Sequence, residues 1–76
     1  MNVAQVLVGT VRIEKSAGRR AFSLEDEDGH RTPLVLARAN QASIAAALIS
    51  LNGEFCEVSG LMSREAFVVH SVVAVR

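Results

Sequence analysis

The chain has a single cysteine, Cys56, so no intramolecular disulfide can form, and one thiol in 76 residues fits a reducing setting. Tryptophan and tyrosine are absent, and the aromatics are Phe22, Phe55 and Phe67 alone. A protein that stacks bases on an aromatic platform would have little to build it from. Net charge is also missing: eight Lys and Arg balance eight Asp and Glu. That excludes a strongly cationic coat for nucleic acid, but not a local basic patch. No apolar run approaches the ~18–20 residues that span a bilayer, so no membrane partner is expected. The opening MNVAQVLVGTVR has neither a basic flank nor a small-residue cleavage site. It does not read as a signal peptide, and the expected location is cytoplasmic.

Half of the residues are apolar, chiefly Val, Leu, Ile and Ala. That is an adequate core for one small domain over residues 1–76, a size at which roughly 60% of the unfolded surface is buried. No linker, repeat or low-complexity segment divides the chain.

Residues 3–13 are rich in β-branched side chains and predict a first strand. Val6 and Val8 share one parity, Val11 and Ile13 the other. The slip at Gly9 predicts a bulge or bend that lets one long strand serve two sheets. A second strand is expected over 20–26, with Phe22 and Leu24 alternating against Ala21, Ser23 and Glu25. Asp28-Gly29 then signals a hairpin, since glycine accepts positive φ cheaply. The third strand, about 31–36, contains Pro33, which cannot donate to a ladder and points to an edge or bulge.

The period then changes. In 40–53, Ile44, Leu48 and Leu51 recur at helical spacing, with Asn40 as N-cap and Gly53 at the C′ position. Ala45, Ala47 and Ile49 widen the apolar surface, so a largely buried helix is expected. Two more strands follow, about 54–62 and 66–75, joined by Ser63-Arg64-Glu65. The order β-β-β-α-β-β is that of a five-stranded Greek-key OB-fold, an all-β barrel with one helix. An SH3-like barrel is the main rival, but it usually has no ten-residue helix in its middle.

Residue-level features add to the topology. Gly9-Thr10-Val11, the basic stretch Lys15 to Arg20, Phe22, Leu24-Glu25-Asp26, Gly29 and Leu34 to Leu36 follow one another in that order. This stretch resembles the opening of the OB modules in tRNA-anticodon-binding and replicative polymerase subunits. The resemblance implies a single-stranded oligonucleotide lying across strands 2 and 3, flanked by the loops joining strands 1–2 and 4–5.

No catalytic constellation or cofactor motif is evident, and the protein is read as not an enzyme. His30 and His70 lack a second ligand at metal spacing. Cys56 reads as a small core residue and His70 as a surface or hydrogen-bonded one. The glycines form no phosphate loop, and the run Glu25-Asp26-Glu27-Asp28 lacks the alternation of a calcium loop. It reads as a solvated hairpin tip at the far end from the bases.

Binding is the better prospect. Lys15, Arg19 and Arg20 fall in the expected first loop, kept flexible by Gly18, and Arg64 falls in the last. Arg12 should face outward close by, so these five cations are expected to converge at one end of the barrel. Glu14 and Glu65 are the only acids expected there. The expected ligand is single-stranded DNA or RNA, held electrostatically and with poor sequence discrimination. The alternative is a protein-interaction or assembly subunit on the same scaffold. Strand 66–75 favours it: apolar residues occupy both faces, Val68, Val72 and Ala74 on one, Phe67, Val69, Val73 and Val75 on the other. Such a strand suits a homodimer or a protein partner. Phe55 is the aromatic most open to exposure.

Overall fold

A run of β-branched residues forms the long first strand, β1 (Gln5–Ser16), in the computed structural model, which describes residues 4–75. The expected start at Val3 lies outside the described residues. There follow β2 (Arg19–Glu25), β3 (Arg31–Leu36), a 3₁₀ turn (Arg38–Asn40), α1 (Gln41–Ser50), β4 (Phe55–Met62) and β5 (Phe67–Ala74). The strands close into a barrel in the order β1-β2-β3-β5-β4. β3 and β5 run parallel and the other neighbours antiparallel. This is the expected five-stranded OB-fold, with its helix between β3 and β4.

β1 serves both halves of the barrel, pairing with β4 from Gln5 to Thr10 and with β2 from Thr10 to Ser16. Of the bulge or bend expected at Gly9, the bulge is not there, since the register passes through Gly9 without a shift. Leu7, Gly9, Val11 and Ile13 face inward without interruption, and it is Val6 and Val8 that point outward, 54% and 44% exposed. Gly9 marks a close approach instead: a Cβ there would lie 2.6 Å from the Glu25 carbonyl oxygen, where β1 passes from one partner strand to the other. Beyond that handover the 52–54 segment serves the backbone of Val11. Gly53 donates its N–H to the Val11 carbonyl (2.8 Å), and the Val11 N–H donates to Glu54 (3.0 Å).

The register shift lies in β5. Gly60 pairs with Val69 but Ser59 pairs with Ser71, so His70 is the extra residue of a bulge. This bulge reverses the parity of β5. Phe67 and Val69 face the core, and after His70 the inward positions pass to Val72 and Ala74. The apolar residues on both faces of this strand are therefore partly one inward set, displaced by a residue. Pro33 sits where β3 pairs with β2 alone, since β5 joins β3 only from Leu34 onward, so its missing N–H costs no ladder bond there.

The core comprises Val11, Leu48, Cys56, Val58, Phe67 and Val69, all fully buried, with Leu24, Leu34 and Ile44 around them. Each such Val, Leu or Phe contributes about 1.5–3 kcal/mol through removal from water. Helix α1 buries only Ile44 and Leu48, while Ile49 is 41% exposed. It is thus a narrow plug against β5 and β3 rather than the largely buried element its alanines suggest. Asn40 holds the N-cap position, but its side chain makes no capping bond; Nδ2 donates to the His70 carbonyl (3.1 Å). Gly53 has the positive φ expected of a terminator (+81°), one residue later than C′ because Leu51 caps the helix.

Candidate functional site

The expected flexible loop between the first two strands is a tight two-residue turn. Ser16 pairs with Arg19, and Ala17 and Gly18 between them have φ of +52° and +77°. Two positive values in succession match a type I′ hairpin, whose twist suits the flanking strands. The basic residues therefore stand on a ladder, and alternation assigns them to faces. Lys15 and Arg20 are directly opposed and share the inner face; Arg19 is on the outer one, opposite Ser16.

The inner face of this hairpin grades from core to water. Val11 opposite Leu24 is buried, Ile13 opposite Phe22 is partly buried, and Lys15 opposite Arg20 is exposed. The last of these rows lies beyond the Phe22–Leu34 pairing and, with Phe22 and α1, it borders an open cleft of about 630 Å³. Lys15, Gly18 and Arg20 form its hairpin side, Phe22 and Leu36 its floor, and Gln41, Ala42 and Ala45 its helix wall. Like charges directly opposed across a ladder are unfavourable. No ion pair among the described residues relieves Lys15, Arg19 or Arg20.

Arg12 is differently placed. On the outer face of β1-β2-β3 its Nη2 donates to Glu25 Oε2 (3.3 Å), and Arg31 Nε donates to Glu25 Oε1 (2.9 Å). Arg31 Nη1 reaches Glu14 Oε1 at 2.6 Å, completing a chain of two arginines and two glutamates. The hydrogen bond from Arg31 and the two guanidinium charges hold the Glu25 carboxyl below its ordinary range, against a smaller opposing effect of burial. Glu25 is thus a member of the outer face, not of the turn. Asp26, in the turn itself, accepts from the backbone N–H groups of Asp28 and His30 through Oδ1, both at 2.9 Å. Arg31, absent from the expected site, is central to this chain; its pairing with Glu25 across β2 and β3 was readable only once the register was known.

The five expected cations therefore do not form one cluster. Lys15 and Arg20 share the cleft, and Arg19 lies on the other side of the same hairpin. Arg12 is bound to Glu25. Arg64 belongs to the turn after β4, beyond the first residues of β1, whereas Lys15 lies near its last.

A second surface is apolar. In the outward rows across β1, β4 and β5, Val8 aligns with Glu57 and Val73, and Thr10 aligns with Phe55. Val6, Val8, Phe55, Val73 and Val75 are each 42–58% exposed. Cys56 is in the core as expected, and burial raises its thiol pKa. Among the described residues, no group of three His, Cys, Asp or Glu side chains could hold a metal ion, and no helix is long and apolar enough to cross a membrane. No family model matches the chain, and neither does any curated protein or solved structure.

Proposed function

We propose that the protein binds single-stranded nucleic acid, without catalysis, at the tip of the β1/β2 hairpin. The observation that carries this reading is the opposed pair Lys15 and Arg20, set over an apolar floor with no acidic partner. A phosphate between them would turn a repulsive pair into a bridged one. With Arg19 on the reverse side, three cations are available to a backbone. Arg12 contributes little, being neutralised by Glu25, and Arg64 acts only on a strand long enough to reach it.

Three phosphate contacts on a single strand predict a slope of log affinity against log salt of about −2. Fluorescence anisotropy with labelled single-stranded DNA, single-stranded RNA and duplex should show preferred binding to the single strands, with an affinity that falls about 15–20-fold between ~50 and ~200 mM salt. No binding at high micromolar protein and low salt would overturn the proposal.

The outer apolar face supports a second reading, a protein-interaction or assembly role on the same scaffold. Five large exposed side chains on one side of so small a barrel make a patch of the kind that marks an interface. Light scattering tests self-association: a mass of 8.1 kDa throughout the micromolar range would leave only a different partner.

A further inference from the structure

We infer that the cleft at the barrel mouth, and not the outer face of β1-β2-β3, seats a nucleotide of the bound strand. Its phosphate lies between Lys15 and Arg20, and its base lies on the Phe22–Leu36 floor against α1, where Gln41 offers the base edge an amide. This assignment rests on the nucleic-acid reading above.

Four features of the two faces decide between them. Charge is the first. The outer groove, about 250 Å³, is bordered by Glu14 and Arg31, and Arg31 is already held by both Glu14 and Glu25. A phosphate arriving there meets carboxylates and must break two charge-assisted bonds. In the cleft it meets two cations and no carboxylate.

Stacking surface is the second. Phe22 borders both the outer groove and the cleft, but the outward-facing residues between the charged ends of that groove are Ala21, Ser23 and Pro33, none of them aromatic. Phe22 has the opposite parity, so its ring belongs to the inner side and forms part of the cleft floor. Where only one aromatic is near the basic residues, a base gains most from the side on which that ring lies.

Size is the third. At about 630 Å³ the cleft lies within the ~300–1,000 Å³ typical of small-molecule sites, and barrel mouths are a common location for them. The polarity gradient is the fourth. Running outward from Ile13 and Phe22 to Lys15 and Arg20, it orders a ligand as apolar plane inward and anion outward. A nucleotide has that order.

The test uses the whole chain, with amide NMR shifts read during titration with a short oligothymidylate and, separately, thymidine 5′-monophosphate. The expected result is shifts at Phe22, Leu36, Gln41, Ala42 and Ala45 with both probes. Ala45→Leu, which fills the cleft, should weaken oligothymidylate binding about tenfold, the loss of one stacked base, without lowering the melting temperature. Ser23→Leu, which fills the outer groove, should leave affinity within about twofold. Shifts centred on Ser23, Arg31 and Val35, with Ala45→Leu binding as the parent does, would overturn the cleft while leaving the nucleic-acid reading intact. Shifts from the mononucleotide alone would keep the cleft and remove the strand. No shift with either probe overturns both.

Discussion

Lys15 and Arg20 oppose each other directly across β1 and β2, two cations on one face of a ladder with no carboxylate to separate them. Lys15→Glu should therefore act in opposite directions on stability and binding. An opposite-charge cross-strand pair contributes about 0.2–1 kcal/mol, so the melting temperature should hold or rise. Single-strand affinity should fall and its salt slope flatten, as read by anisotropy at two salt concentrations. A variant that binds as tightly as the parent would remove Lys15 from the site.

Glu25 links the outer face to pH. Its pKa in the folded protein is lowered by Arg31 first and Arg12 second. The folded state therefore binds this proton less readily than the unfolded chain, and the stabilisation is fully present above the ordinary carboxylate value of 4.5. It is lost as pH falls through the lowered value. Thermal melts from pH 7 to pH 3 should show an acid-side decline in the parent that is shallower in Glu25→Gln. At neutral pH that variant should be the less stable of the two. Parallel curves would show that the chain of ion pairs has no role in folding.

Ala17 is the one described residue other than glycine with a positive φ. Left-handed backbone costs an alanine roughly 1–2 kcal/mol, and asparagine tolerates it better. Ala17→Asn should produce the Asn-Gly turn favoured in such hairpins and raise stability by about 1 kcal/mol. For a domain of this size the gain corresponds to a melting temperature about 4–8 °C higher. Since the change leaves Lys15 and Arg20 in place, nucleic-acid affinity should not fall.

Gly60 stands at the bulge, and any Cβ there would run into the Val68 carbonyl oxygen on β5. The obstacle is backbone, so no rotamer change relieves it. Gly60→Ala should cost about 3 kcal/mol, seen as a lowered denaturant midpoint. A cost below about 1 kcal/mol would mean that the bulge can migrate along β5.

Strand order and the helix could be read from period and punctuation because those signals are local: Gly29 and Gly53 both have the positive φ their positions required. Faces were harder. β1 carries valines on both parities, and the inward set includes Gly9, which has no side chain to register in a hydrophobic pattern. In β5 the parity reverses at His70, and a one-residue slip moves every later side chain to the other face. The acidic run failed as a unit for a related reason. Glu25 is sequentially next to Asp26, but strand geometry turns it toward Arg12 and Arg31, its neighbours on the flanking strands β1 and β3. Lys15 and Arg20 were identifiable as candidates. Their opposition needed the turn to be recognised as two residues long.

Sharing β1 between two partner strands also has a kinetic consequence. Its second half meets β2 across a two-residue turn, so that hairpin can form within microseconds. Its first half must wait for β4, and β3 for β5, so the barrel closes only after distant segments of the chain have met. Until then Val6 and Val8 lie on an unpaired strand edge. Folding should be slow for so small a domain, on the order of milliseconds to seconds. In that interval the half-built β1 is the segment most open to pairing with another chain.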